Sequence, residues 1–472
     1  MKKVFLVAAC FLLVISVAAQ TVKNKLQIAY QQFESDSQLK HAISSLYIVN
    51  ERTGEIVFDK NSQIGLAPAS TQKIITATTA FELLGKDYKY KTEVGYRGNI
   101  VGGILKGNLH IVGSGDPTLG SWRYVSSKRD SVLSKIFSML KLQGINKISG
   151  DVILDDSRFS FQPLPGGWIW DDIGNYYGAG VWALNWNENQ YDLLLKPGLK
   201  EGDSVQLLGT EPELEIYSLT NLLKSGRPGS GDNGYIYLAP YSVGGFVDGT
   251  VPAGEKSFRI SGSMPFPSNQ LSKELGRYLS AKNIALSGNF RPSEYFTNNK
   301  SRLLSYTKNI GTIYSPALDS IIYWFLKKSI NFYGETLLKT FAYEKKGFGF
   351  GVTDTGVAIV KDFWKQKGLD PEELNMKDGS GLSPQNRVTT HAQVEILKFA
   401  KKQSWFALFF DALPEYNNMK MKSGTINDVK GFCGYHTSGD GTQYIFSFLV
   451  NNYNGSPSAL VQKMYKVLDV LR

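Results

Sequence analysis

The sequence predicts a mixed α/β (α+β) protein of two or three domains, in which a helix-rich domain is interrupted by β-rich insertion. Three observations carry that expectation. The chain has 472 residues, 42% of them hydrophobic, which is enough to bury a large core. Helical texture occupies both ends, up to Leu84 and again from Pro316. From Tyr88 to about Ser315, short alternating strands and turns rich in Gly, Asp and Asn replace it, with few long helical patterns. With 47 Gly and 17 Pro the composition is that of a loop-rich folded protein, not a disordered one.

Met1-Lys2-Lys3, the apolar run Val4 to Val17 and the small residues Ala18-Ala19 before Gln20 read as a signal peptide over 1–19. Cleavage after Ala19 implies export, to the periplasm. Leu6-Val7-Ala8-Ala9-Cys10 superficially resembles a lipoprotein box, but the apolar run continues past Cys10, so lipidation is kept as the alternative. No later stretch is long and apolar enough to span a bilayer. Removing the leader leaves Cys433 as the one cysteine, so an internal disulfide is impossible. Cys433 lies in a strand-like stretch and reads as a small core residue. The formal net charge of +10 falls to +8 without Lys2 and Lys3. Its basic residues are dispersed, which argues against nucleic acid and for an anionic wall or membrane surface.

Val22, Leu26, Ala29, Tyr30 and Phe33 recur at helical spacing, predicting an amphipathic helix from Val22 to about His41. Leu46 to Val49 and Glu55 to Phe58 flank the turn residues Asn50 to Gly54 as a hairpin. Pro68 then introduces a helix that carries Ser70 in its first turn, runs to about Leu84 and stops at Gly85. Further helices are expected over Pro316–Lys328, Phe332–Tyr343 and Val357–Lys367. A hairpin pairing Gly431–Tyr435 with Tyr444–Val450 and a helix from Ser458 to Arg472 close the chain.

The chemistry-bearing pattern is Ser70-x-x-Lys73, a hydroxyl one turn from an amine on one helix face. The amine can serve as a base only if burial disfavours its charge, and the apolar run after Lys73 would bury it. Alone the pattern is weak, since Ser37/Lys40, Ser138/Lys141 and Ser305/Lys308 repeat it. Ser70 is set apart by two later motifs, Ser329-Ile330-Asn331 and then Lys422-Ser423-Gly424-Thr425. That succession is the signature of active-site serine penicillin-recognising enzymes. Gly113-Ser114-Gly115-Asp116-Pro117-Thr118-Leu119, Trp170-Asp171-Asp172, Gly174-Asn175-Tyr176-Tyr177-Gly178-Ala179 and Asp378-Gly379-Ser380-Gly381-Leu382-Ser383 narrow it. From about Ser45 to the C-terminus the chain resembles the D-alanyl-D-alanine carboxypeptidase/endopeptidase family of the penicillin-binding protein 4 type (peptidase family S13).

The resemblance implies a penicillin-binding/β-lactamase-like transpeptidase domain, an antiparallel sheet flanked by helices, over 20–87 and 316–472. It implies two inserted β-rich domains, one over 88–192 and 263–315, the other nested within it over 193–262. Lys224-Ser225-Gly226, inside the nested insertion, mimics the third motif but runs into a loop of Arg, Pro, Gly, Ser and Asp, and reads as a decoy. By the same resemblance Ser70 is the nucleophile and Lys73 its base. Ser329 relays the proton to the leaving amine. Asn331 holds the substrate amide and tethers Lys73. Lys422 faces the terminal carboxylate with Ser423 and Thr425 beside it, and the backbone N–H groups of Ser70 and Thr425 form the oxyanion hole, with Gly424 between. Asp172, with Tyr177 beside it, would recognise the free amine of the stem peptide's diamino acid. The alternative, a turn Asp capping its own loop, stays open. Arg387 is a further candidate for a substrate carboxylate, although the family often has its basic residue where this chain has Pro384. Ile330 replaces a frequent Asp and Ser423 the usual Thr, changes that keep the reacting groups.

The implied function is a serine-type D-Ala-D-Ala carboxypeptidase/endopeptidase of peptidoglycan stem peptides, covalently inhibited by β-lactam antibiotics, needing no metal or organic cofactor. Peripheral membrane or wall association and a homodimer stay open. The rivals are a β-lactamase or esterase on the same domain, which the long Ser70–Ser329 interval disfavours, and a catalytically silent wall-binding protein, which intact motifs disfavour. His41, His110, His391 and His436 show no metal-ligand spacing, and no phosphate-binding Gly-rich loop is present.

Overall fold

The computed structural model describes residues 22–214, 218–347 and 352–472, so the expected signal peptide lies outside the described residues. The chain divides into two compact units. One ends at Glu82 and resumes over Ile322–Ser329 and Val360–Arg472; the other comprises Leu83–Ile321 and Ile330–Ile359.

The first unit is built on a six-stranded sheet in the order Glu415–Tyr416, Met419–Ile426, Val429–Thr437, Gln443–Asn451, Ile43–Asn50, Ile56–Lys60. Every pairing in it is antiparallel. Both expected hairpins form here. At the first, the Asn50 side chain accepts hydrogen bonds from the backbone N–H groups of Arg52 and Thr53, the local capping that turns the strand. Tyr444 to Val450 is buried without interruption, as a central strand covered on both faces must be.

One face is covered by the helix over 22–34 and by Pro457–Leu468. Tyr30 and Phe33 meet Phe448 there, with ring centroids 6.0 and 5.2 Å apart, among Leu26, Leu460, Met464 and Val467. The first helix stops at residue 34, short of the expected His41. Asp36 is extended, and its carboxylate accepts from Gln38 N at 2.9 Å, opening a separate 3-10 turn over Ser37–Leu39. The last helix similarly ends at Leu468 and tightens into a 3-10 turn over Asp469–Leu471.

On the opposite face lie the 3-10 turn Ala69–Gln72, the helix Lys73–Leu84 that continues it, and the helix Thr390–Lys401, which periodicity did not suggest. Ser70 therefore sits on a 3-10 turn, not on the first α-helical turn as expected. The helix ends before Gly85, whose φ of 80° suits glycine. Ser329 and Ile330 fall in the connection between the helices Leu318–Lys327 and Asn331–Lys346, as read from sequence, while Asn331, expected in the connection, opens the second helix.

The second unit has a mixed sheet around the antiparallel hairpin Lys91–Val101/Ile104–Val112, with Lys308–Tyr314 beside the first strand. Its core takes Val132, Leu133, Ile136 and Leu140 from the helix Arg129–Leu142 and Leu271, Leu275 and Leu279 from Pro267–Ala281. These two helices correct the impression of a nearly all-strand segment. Residues 190–263 form two smaller sheets. One pairs Gln190–Lys196 with Phe258–Ser263 and Gln206–Glu211; the other centres on Gly244–Pro252. Lys224–Gly226 is a short strand of the latter, followed by a loop, with the Ser225 hydroxyl accepting from Gly198 N at 2.8 Å. The lookalike motif is structural.

Phe448 tests the first unit's core. Phe448→Ala is expected to lower stability by about 3–5 kcal/mol, read as a fall in the urea midpoint at unchanged slope.

Candidate active site

In the first unit the turn that carries Ser70 is fixed from two sides. Ala69 has φ of 46°, a left-handed conformation unusual for a residue with a Cβ, and it is fully buried. A Cβ on Gly381, whose φ is 84°, would lie 1.8 Å from the Ala69 carbonyl oxygen, so only glycine lets the two backbones meet. On the strand side, a Cβ on Gly424 would lie 2.6 Å from the Pro68 carbonyl and 2.9 Å from Ser70 N. Lys-Ser-Gly thus ends in glycine because the strand must touch the turn.

Lys73 is fully buried and its Nζ donates to Ser70 Oγ at 2.8 Å and to the Ser380 carbonyl at 2.8 Å. The Phe325 ring lies 6.0 Å away. Ser70 itself is only half-buried, open to a ligand on one side. The segment that supplies Ser380 is organised by the Asp378 carboxylate. That group accepts from Gly381 N (2.7 Å), Ser383 N (2.6 Å), Asn386 Nδ2 (3.0 Å) and Gln72 Nε2 (3.0 Å). Thr76 Oγ1 donates to the Gly379 carbonyl at 2.7 Å. Asp378 and Gln72 are therefore positioning residues. Asp378 is visible in the sequence only as part of a family motif, and Gln72 carries no signal there.

Beneath the turn, Gln393 of the Thr390–Lys401 helix donates to Thr71 Oγ1 at 2.8 Å and accepts from Ser447 Oγ at 2.6 Å. Ser447 lies on the buried central strand, so the Ser70 turn is tied to the most protected part of the sheet. Cys433 is fully buried, and burial pushes its thiol far up, which removes it as a nucleophile.

Lys422 is 1% exposed and its Nζ donates to the Ser423 carbonyl at 2.8 Å. Burial pushes its pKa down to about 7, with Lys430 adding to the fall and Cys433 opposing it. Lys422 lies opposite Cys433 and Gly424 opposite Gly431, and both glycines face the Ser70 turn. Thr425 is exposed, and Ser423 is half-buried. Ser329 closes the Ile322–Ser329 piece of this unit with a left-handed φ of 58°. The Arg387 guanidinium donates at 2.7 Å to the carbonyls of Pro384 and Asn386 in its own loop, which argues against its reserve for a substrate.

The second unit brings Asn331, Asp172 and Tyr177 together. Asn331, first residue of its helix, donates from Nδ2 to the Tyr177 carbonyl at 2.9 Å. Burial pushes Asp172 up to about 6, and neighbouring Asp171 adds to this while the Tyr177 hydroxyl opposes it by favouring the ionised form. Two turns further along the same helix, buried Lys339 donates from Nζ to the carbonyls of Gln162 (2.7 Å) and Val181 (2.9 Å). It clasps both ends of the segment that carries Asp172. Burial pushes Lys339 down to about 7 against the pull of Glu335 and Asp156. No sequence signal marks this clasp, since Lys339 sits in an apolar run.

Residues 26–415 match the D-Ala-D-Ala carboxypeptidase 3 (S13) family. The chain belongs to that family. It is accordingly a D-Ala-D-Ala carboxypeptidase, a serine-type hydrolase. It is 26% identical over 466 residues to a D-alanyl-D-alanine carboxypeptidase of Actinomadura sp. (strain R39), covering 90% of this chain and 81% of that one. Against the D-alanyl-D-alanine carboxypeptidase DacB of Haemophilus influenzae it is 24% identical, covering 86% and 84%. The crystal structure of penicillin-binding protein 4 (dacB) from Haemophilus influenzae superposes with a TM-score of 0.78 at 21% identity, over 96% of this chain and 98% of that one. A second structure of that protein, complexed with a β-lactam, gives 0.72 at 20% identity over 91% and 95%. The overall architecture, a penicillin-binding fold with extra domains, is the one expected from sequence.

Among the described residues no group of three or more His, Cys, Asp or Glu could hold a metal, and no helix is long and apolar enough to cross a membrane. His391 is engaged by Glu373, 2.9 Å from its carboxylate, and His110 is pushed down to about 4 by burial.

Two substitutions test these braces. Gly381→Ala should cut acylation by a penicillin at least about a hundredfold in stopped-flow assays and lower the melting temperature, since the new Cβ must displace the Ala69 backbone. Lys339→Met should speed amide hydrogen exchange over 163–180 by about tenfold or more, with the first unit's sheet unchanged.

Proposed function

We propose that the chain hydrolyses the terminal D-Ala-D-Ala bond of peptidoglycan stem peptides through an acyl-enzyme on Ser70. The 2.8 Å contact between Lys73 Nζ and Ser70 Oγ, inside a fully buried lysine environment, is the observation that carries this reading. Neutral Lys73 takes the Ser70 proton as Oγ attacks the penultimate carbonyl. The negative oxygen is received by the backbone N–H groups of Ser70 and Thr425. The C–N bond then breaks, and the departing D-alanine nitrogen gains a proton through Ser329. Water hydrolyses the ester, releasing the shortened peptide and returning Ser70 to its hydroxyl form.

Asn331 holds the substrate amide, and Lys422, with Ser423 and Thr425, provides a positive, hydroxyl-bearing edge for the terminal carboxylate. Asp172, with Tyr177 beside it, binds a free amine of the stem peptide. Its carboxyl is raised by burial rather than lowered by backbone N–H donors, which supports a recognition role over loop capping. A β-lactam presents the same acyl group and leaves the ester on Ser70, as the β-lactam complex of the Haemophilus influenzae relative encourages. Endopeptidase action on cross-links uses the same acyl step with a different leaving amine. We place the catalytic domain at 20–87 and 316–472, with insertions at 88–192 plus 263–315 and at 193–262, and the mature protein in the periplasm after cleavage near Ala19. Dispersed basic charge suits attachment to the anionic wall.

Fluorescent penicillin and peptide mapping provide the direct test. A covalent label on Ser70, absent in Ser70→Ala, is expected, and no label on folded protein would sink the proposal. The Asp172 role predicts a pH signature. A carboxyl raised to about 6 is neutral below that pH and ionised above it, so it attracts an ammonium only above. KM for an amine-bearing peptide should fall as pH rises through about 6, and Asp172→Asn should abolish that limb.

A further inference from the structure

A substrate carboxylate at the edge proposed for Lys422 gains from a second, more accessible cation, because Lys422 itself is little exposed. Lys422 is 1% exposed and donates to a backbone carbonyl of its own strand. Arg387 donates to its own loop. One strand over, Lys430 pairs directly with Thr425 across the antiparallel ladder. Its Nζ donates to Thr425 Oγ1 at 2.7 Å, and its charge lies 5.1 Å from the Phe432 ring centroid. The side chain is partly exposed. No carboxylate lies within ion-pair distance of it among the described residues.

We infer that Lys430 is a specificity-determining residue of this carboxypeptidase, its ammonium and the Thr425 hydroxyl together binding the substrate's terminal carboxylate. The inference rests on the DD-peptidase reading above. The strand edge makes room for it. Glu415–Tyr416 pairs with the Lys-Ser-Gly strand at Met419 and Lys420, and Met421 N donates to the Pro414 carbonyl at 3.0 Å, so from Lys422 onward that strand's outer edge carries no ladder partner among the described residues. Thr425, at the open end, is exposed while its hydroxyl is already oriented by Lys430. A hydroxyl whose oxygen accepts from an ammonium has its own hydrogen free to point at an incoming anion. The same ammonium keeps further hydrogens for a second, charge-assisted bond.

Electrostatics favour an anion at this edge. Burial lowers the Lys430 pKa from its ordinary value, and Lys430 in turn lowers that of Lys422. Two ammonium groups that repel each other are relieved by an arriving carboxylate. The aromatic ring beside Lys430 offsets part of the cost of keeping its charge. A peptide ending in a free carboxylate would gain an ion-paired bond to Lys430, which the neutral carbonyl of a peptide amide lacks.

The test compares an N-acylated lysyl-D-Ala-D-Ala peptide with its C-terminal amide on wild type, Lys430→Met and Lys430→Arg, each checked for folding by circular dichroism. In Lys430→Met, KM for the acid should rise about tenfold, the scale of one charge-assisted hydrogen bond, while kcat changes less than about threefold. The amide should respond equally to wild type and Lys430→Met, and Lys430→Arg should restore the acid. Equal losses on acid and amide, or no change on either, would overturn the inference. If wild type cleaves neither peptide, the DD-peptidase reading fails instead. Acylation by benzylpenicillin against its methyl ester then scores Lys430 alone: loss confined to the acid supports it, and an equal response or no acylation overturns it.

Discussion

The position of the Lys73 side-chain nitrogen is the constraint on which the first unit's candidate site depends. It is held at hydrogen-bond distance from Ser70 Oγ by the Ser380 carbonyl on its other side. That carbonyl is where it is because the Asp378 carboxylate closes its loop by accepting from Gly381, Ser383 and Asn386, and from Gln72 in the Ser70 turn. A fully buried carboxylate is unstable unless its lone pairs are satisfied, so the loop and the turn must fold as one object. The strained Ala69 backbone persists for the same reason. Gly381 and Gly424 press on it from two sides, leaving the left-handed conformation the available one.

Electrostatics divide the work between charged groups of opposite kind. Around the Lys-Ser-Gly strand, Lys422 and Lys430 are desolvated cations, a setting that favours anionic ligands. Within the second unit, burial and Asp171 hold Asp172 at a pKa of about 6. The helix Asn331–Lys346 secures that loop at its tip through Asn331 and at its base through Lys339. A buried lysine with two carbonyl acceptors is an effective clamp, because releasing it would strand a polar group in an apolar interior. Glu188 plays a comparable part at the other side of the same helix, accepting from Tyr333, Ser121 and Arg123.

Some local expectations give way for physical reasons. Amphipathic spacing continues to His41 in the sequence, yet Asp36 offers its carboxylate to Gln38 N and ends the helix early. The helix Thr390–Lys401 escapes a reading by periodicity because buried Thr390 and Gln393 break its apolar stripe. Gln393 is nonetheless buried, for its hydrogen bonds to Thr71 and Ser447. The helices Arg129–Leu142 and Pro267–Ala281 hide in a segment dominated by turn residues.

By itself the sequence determined the mixed fold class, both hairpins, the helices around Ser329-Ile330-Asn331 and the identity of the family. Those features are written locally, as hydrophobic period, turn residues and short motifs whose order survives in the chain. Tertiary structure alone decided which buried polar residues brace the candidate residues within each unit. Gln72 and Gln393 in the first unit and Lys339 in the second carry no local signal, because each acts on a partner far away in sequence. Their value lies in desolvation, and burial is a property of the packed chain, not of any stretch of it.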